Sequence, residues 1–146
     1  MECVRRIQFC AGHRVYKHES KCAHPHGHNY VAFIHARADE LDEVGRVIDF
    51  SVLKELVGGW IDEKWDHGFI YYSKDESMKE VFSQAGYKHH AMDLNPTAEN
   101  MAKYLVDEVC PELMKDTGIE VYKITLWETE NCYAVYSKLN VRSPSR

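Results

Sequence analysis

Alternating hydrophobic and polar positions open the chain. From Val4 to Val15, the positions Val4, Arg6, Gln8 and Cys10 interleave with Arg5, Ile7, Phe9 and Ala11. A period of two with frequent β-formers predicts a strand. Tyr16 to Pro25 is polar and broken, which predicts a loop. Asn29 to Ala38 alternates again and predicts a second strand, hairpin-paired with the first. Past the acidic turn Asp39 to Arg46 the period changes. Leu53, Leu56, Val57, Trp60 and Ile61 recur at helical spacing, behind a cap at Asp49 or Ser51. Gly58 and Gly59 inside this helix each cost about 1 kcal/mol, so close packing or a kink is expected there. The helix should end near Trp65–Gly68. Between Phe69 and Asn95 the pattern is weakest, with one short helix expected from Ser73–Glu76 to Ala85, stopped by Gly86.

A second long helix opens at Pro96 and Thr97, with Ala98, Met101, Ala102, Leu105 and Val109 as its apolar stripe. Glu120 to Trp127 and Cys132 to Leu139 read as two further strands around a tight turn at Glu128–Asn131. The polar tail from Asn140 to Arg146 is expected to fray. The order ββααββ predicts an α+β fold in one domain, residues 1–146, with a four-stranded antiparallel sheet and two helices on one face. Such a sheet has two open edges, and pairing between copies of the chain is the expected way to cover them.

Composition changes this picture little. A chain of 146 residues with 45% hydrophobic and 28% charged residues suits a single self-sufficient core. A net charge of −5 argues against nucleic acid or an anionic membrane as partner, while leaving room for a small anionic substrate. No run is long and apolar enough to span a bilayer. The start, Met1–Glu2–Cys3–Val4–Arg5–Arg6, lacks the apolar core of a signal peptide. Five cysteines, an odd number at low density, read as reduced thiols of a cytoplasmic protein.

The chemistry concentrates in His24–Pro25–His26–Gly27–His28–Asn29–Tyr30. Alternate residues of a strand share a face, so His26 and His28, with His24 as a further possibility, aim at one point. His13, at the end of the first strand, is the nearest third imidazole. Three ligands and an open position make a catalytic zinc site. Cys22 precedes His26 by four residues; its thiol is a candidate base or nucleophile, or else a fourth ligand that would close the site. Asp66 and His67, at a helix end, form a candidate acid–base pair if a turn lets neighbours touch. Glu128 ends the third strand, where a carboxylate would grip an N–C–N edge through two hydrogen bonds, with Glu130 as the competing choice.

Six fragments in register carry a resemblance over roughly residues 4 to 137. They are Phe9–x–Ala11–x–His13, Cys22–x3–His26–Gly27–His28–Asn29–Tyr30, Val47–Ile48–Asp49–Phe50–x2–Leu53–Lys54, Asp66–His67, Pro96–Thr97–Ala98–Glu99–Asn100 and Glu128–Thr129. Together they resemble the 6-pyruvoyltetrahydropterin synthase superfamily. The three-residue gap between Cys22 and His26, and Asp49, look most like its 6-carboxytetrahydropterin synthase branch, which feeds 7-deazaguanine (queuosine) synthesis.

The resemblance implies a tunnelling fold, with trimers whose sheets close into a barrel and stack into hexamers, and active sites between subunits. It implies zinc on His13, His26 and His28, and a proton-transfer group of Cys22, Asp66 and His67. It implies Glu128 as the pterin anchor, with Thr97 and Glu99 lining the pterin pocket. The implied reaction converts 7,8-dihydroneopterin triphosphate to 6-carboxy-5,6,7,8-tetrahydropterin, acetaldehyde and triphosphate. Arg14, Lys17 and Lys21 are the nearby cations for the triphosphate. The rival readings are a 6-pyruvoyltetrahydropterin synthase and a non-catalytic, zinc-stabilised oligomeric binding protein.

Overall fold

Two twelve-residue strands, β1 (Glu2–His13) and β2 (His26–Arg37), pair antiparallel along their whole length, from Glu2 opposite Arg37 to His13 opposite His26. The computed structural model describes residues 1–138, so the expected fraying of 140–146 falls outside the described residues. The last two strands, β5 (Glu120–Thr129) and β6 (Cys132–Ser137), extend the sheet antiparallel beyond β2. This is the four-stranded antiparallel unit that alternation predicts.

The sheet is nevertheless larger, and the expected four-strand ββααββ order needs correction. Strand β3 (Gly68–Tyr72) runs parallel to β1 at Ala11–His13, and β4 (His89–Met92) runs parallel to β3. Among the described residues the sheet is mixed and six-stranded, in the order β4-β3-β1-β2-β5-β6. Parallel neighbours need a crossover. Here it includes the helix Glu76–Ala85, capped by Asp75 and stopped by Gly86 at φ 68°, which the sequence anticipates. Strands of five and four residues are too short for a period of two to stand out.

The two long helices cover the buried face. Residues 50–64 form α1, capped by the Asp49 carboxylate on the Ser51 N–H. With the crossover helix as α2, residues 98–114 form α3, capped by Thr97 on the Asn100 N–H. Both contain a five-residue stretch of wide i→i+5 turns, at Lys54–Gly58 and Leu105–Val109. The cause is legible in the stripes. Leu53, Val57, Ile61 and Trp65 are all buried, as are Ala98, Ala102, Val106 and Cys110. A repeat of four drifts off the face of a helix with about 3.6 residues per turn, and wider turns bring it back. In α3 the wide turns come immediately before Pro111, whose ring would clash with a carbonyl of a regular preceding turn. Gly58 is buried within α1 against Ile7, where an added Cβ would lie 3.4 Å from the Ile7 Cδ1.

One core joins these helices to the inward residues of β1 (Ile7, Phe9, Ala11), β2 (Tyr30, Ala32, Ile34, Ala36) and β5 (Val121, Ile124, Leu126). The histidines continue this inward face at the loop end of the β1–β2 hairpin. No helix among the described residues is long and apolar enough to cross a membrane.

Candidate metal centre and adjoining cavity

His13 and His26 are direct cross-strand partners, and His28 lies opposite Ala11, two residues before His13 in the chain. Pairing and alternation therefore bring three imidazoles to one point. Their ligand atoms all lie within 4.8 Å of one another, and among the described residues this is the one such group of three or more metal-ligating side chains. Cys22 is not in it, so its reading as a closing fourth ligand is not realised. His24 contributes its backbone carbonyl, which accepts the Nδ1–H of His26 at 2.6 Å.

Local hydrogen bonds set the tautomers. His13 donates Nδ1–H to the Pro96 carbonyl at 2.7 Å. A carbonyl cannot donate, so both His13 and His26 carry their proton on Nδ1 and present a lone pair on Nε2. Those two Nε2 atoms are 3.2 Å apart, and the buried Nε2 of His28 has no hydrogen-bond partner. Facing lone pairs and an orphaned buried nitrogen fit a bound cation. Burial holds His13 down to about 4, against the pull of the Pro96 carbonyl and with help from the two neighbouring imidazoles. Burial likewise lowers His28, opposed by Glu128. Imidazoles kept neutral are in the ligand form.

Beside this centre lies a cavity of about 200 Å³ that brings Cys22, Thr97, Glu99 and Glu128 together. The Glu128 carboxylate is 3.5 Å from His28 Nε2, so it reaches both the centre and the cavity. Tyr30 is fully buried beneath His28, and burial, then the Glu128 charge, push its phenol up. The Cys22 loop is pinned at its base by the Val15 N–H donating to the Cys22 carbonyl at 2.8 Å.

Asp66 and His67 do not join that cavity. They form the turn after α1, where His67 adopts φ 57°, the left-handed region uncommon for residues other than glycine. That turn lets neighbouring side chains meet: His67 Nδ1–H donates to Asp66 at 2.7 Å. The Cys10 N–H donates to the other Asp66 oxygen at 2.9 Å, and the His67 N–H returns to the Cys10 carbonyl at 2.7 Å. Burial raises the Asp66 carboxyl, but the Cys10 and His67 donors outweigh it and hold it below the ordinary carboxylate value. The ring of His67 is largely exposed and lines a separate groove with Cys10, Gly12 and Asn29. Within one chain, the expected trio of Cys22, Asp66 and His67 is therefore split.

Comparison with known proteins fits this geometry. The sequence profile of 6-pyruvoyl tetrahydropterin synthase matches residues 2–139. The chain belongs to the 6-pyruvoyl tetrahydropterin synthase family. It is 42% identical over 134 residues to a 6-carboxy-5,6,7,8-tetrahydropterin synthase of Rickettsia bellii, covering 91% of this chain and 97% of that one. It is 32% identical over 160 residues to a protein of the same name from Aquifex aeolicus, covering 94% and 98%. Among solved structures, an uncharacterized protein of Wolinella succinogenes superposes with a TM-score of 0.81 at 22% identity, covering 95% of this chain and 98% of that one. A Plasmodium vivax 6-pyruvoyltetrahydropterin synthase superposes at 0.71 with 20% identity, covering 94% and 97%. At such identities these two structures establish the shared fold.

Several residues around the centre and the cavity carry no sequence signal of their own. Asn95 holds the β1–β2 loop against the start of α3: its Oδ1 accepts the Tyr16 N–H at 2.8 Å and its Nδ2 donates to the Tyr16 carbonyl at 2.9 Å. Arg14, expected as a triphosphate cation, makes a two-point pair with the buried Asp75 at 2.5 Å. That correction has a simple cause: a buried carboxylate demands a partner, and nothing local in the sequence shows that Asp75 is buried. His18, Cys132 and Tyr133 also line the cavity.

Proposed function

We propose that this chain is a zinc-dependent lyase that converts 7,8-dihydroneopterin triphosphate to 6-carboxy-5,6,7,8-tetrahydropterin, acetaldehyde and triphosphate, in 7-deazaguanine biosynthesis. One observation carries this reading: a chain 42% identical along nearly its whole length to a protein of that name sets a three-imidazole centre beside the Cys22 and Glu128 cavity. Three imidazoles with room for another ligand suit zinc. When bound, the ion supplies Lewis acidity that sharpens the C–H acidity of a coordinated substrate side chain.

The remaining roles belong to the chain. Glu128 accepts two N–H donors of the pterin ring and orients it, with Thr97 and Glu99 completing the wall. The Cys22 thiol takes and relays a proton beside the substrate side chain. The His67 Nε2, oriented by Asp66 on its Nδ1–H, exchanges a proton at a neighbouring position.

Assembly reunites the split trio in this proposal. Strand β3 covers the outer edge of β1 only at Ala11–His13, which leaves the stretch before Cys10 as an open strand edge. The far edge of the sheet is β6, which runs antiparallel to β1. Rotation about a barrel axis preserves strand direction, so β6 of one copy meets β1 of the next antiparallel. The start of β6, with Cys132 and Tyr133 on the Cys22 cavity, then approaches the Cys10 end of β1, where Asp66 and His67 stand. A ring of copies, trimeric or a stacked hexamer, thus supplies each cavity with the neighbour's acid–base pair.

The test is turnover of 7,8-dihydroneopterin triphosphate by zinc-loaded protein, with acetaldehyde and pterin products measured together. Acetaldehyde with a 6-carboxypterin supports the proposal. Triphosphate release without acetaldehyde assigns the chain to 6-pyruvoyltetrahydropterin formation instead. An unconsumed substrate with zinc bound overturns the enzyme reading in favour of a binding protein.

A further inference from the structure

The cavity has an asymmetric wall. The α3 start and the β5–β6 hairpin contribute Glu99 and Glu128, while the β1–β2 loop contributes His18 and Cys22. His18 differs from the metal-site histidines in its proton. The Ser20 N–H donates to His18 Nδ1 at 2.9 Å. That nitrogen is an acceptor, so the neutral ring carries its hydrogen on Nε2. His13 and His26 present lone pairs; His18 presents a donor.

The loop holds this ring in place. Lys17 sits at φ 62°, an uncommon conformation for a residue with a side chain, which persists only where its surroundings impose it. The His18 N–H closes a turn on the Val15 carbonyl at 3.1 Å, and the Val15 N–H closes the loop on Cys22. Two of the three nearby cations have contacts of their own. Arg14 pairs with Asp75, and the Lys17 ammonium lies 5.3 Å from the centre of the Tyr16 ring.

We infer that His18 is a specificity residue whose Nε2–H contacts the first phosphate of a phosphorylated pterin side chain as it leaves the cavity. The inference rests on the pterin reading for the identity of the ligand. A polyanionic tail is repelled by the Glu99 and Glu128 wall and leaves past the loop, where His18 adds an imidazole N–H to the cavity lining. Hydrogen bonds to charged oxygens are among the stronger ones, and a positioned ring orders little on binding.

The experiment is calorimetric titration, in a Cys22→Ala background that consumes the ester only slowly, of wild-type His18, His18→Ala and His18→Gln with three probes: 7,8-dihydroneopterin triphosphate, unphosphorylated 7,8-dihydroneopterin and inorganic triphosphate. We expect His18→Ala to weaken the triphosphate ester about tenfold, with the unphosphorylated pterin within twofold of wild type and inorganic triphosphate weakened in parallel. The Gln variant, which keeps an N–H donor, should recover part of the loss. Equal weakening of both pterins, or no change in either, overturns the inference. Failure of wild type to bind any pterin sinks the pterin reading alone. His18 is then judged on inorganic triphosphate: weaker binding by the Ala variant sustains an anion contact, and equal binding removes it.

Discussion

The metal centre and the Asp66–His67 turn are equally well built and differ in what completes them. Each rests on backbone contacts at the same end of β1. His13 is buried, and its neighbours His26 and His28 share its strand pair. Contacts that orient the centre, the Pro96 and His24 carbonyls, come from the same chain. The His67 ring is tied to Asp66 on one nitrogen and exposed on the other, beside a strand edge that β3 leaves open. A ligand set must be rigid to hold an ion, and a hairpin supplies that locally. A proton-transfer group must face the substrate, and here the facing surface belongs in our proposal to another copy.

Breaking the first half of this contrast should have the largest effect. His26→Ala removes a ligand that is also half of the closest imidazole pair, so metal content and turnover should vanish together, as read by metal analysis and product assay. A metal-replete, active variant would remove the three-histidine centre from the account.

The second half is tested by pairing variants. Cys22→Ala and His67→Ala should each lower kcat by about 10²–10⁴-fold with metal retained. Refolding the two inactive proteins together should restore a measurable fraction of the activity, because some mixed interfaces carry both intact groups. No recovery, with mixed oligomers verified by mass spectrometry, would place the two groups in one chain's site and contradict the split.

A smaller effect concerns the loop that frames the cavity. Asp75→Ala removes a buried carboxylate, its two-point bond to Arg14 and the cap of α2, and should cost about 3 kcal/mol in urea unfolding. Burial raises the Asp75 carboxyl, but bonds from Arg14, Met78 N–H and Ser77 outweigh it and hold it below its ordinary value of 3.8. A depressed carboxylate stabilises fully above that value, and the contribution disappears as pH falls through the folded one. Wild type should therefore lose stability below about pH 4 more steeply than Asp75→Asn. The mildest change is Glu128→Gln, which should chiefly raise KM, read from initial rates. An unchanged KM would move the pterin anchor to Glu130.

Much of this was legible in the chain. The hairpin alternation placed β1 and β2, and their register followed well enough to nominate His13 with His26 and His28. Asp49, Thr97 and Gly86 marked helix ends where the structure has them. Strands β3 and β4 were not legible, because their lengths are below the reach of a two-residue period and their pairing depends on a crossover. The π turns were present as a four-residue spacing of apolar residues, which reads as an ordinary stripe until the helix must stay on one face.

By itself the sequence determined the elements whose signals are local: period, caps, and alternate imidazoles on one strand. These need only the geometry of a few consecutive residues. The tertiary structure decided which charges are engaged, such as Arg14 on Asp75, which nitrogen of each histidine carries its proton, and which candidate residues share a cavity. Those outcomes depend on burial and on partners far apart in the chain, 83 residues in the case of His13 and Pro96. Desolvation and hydrogen bonding act through space, and distance in space is set only once the chain has folded.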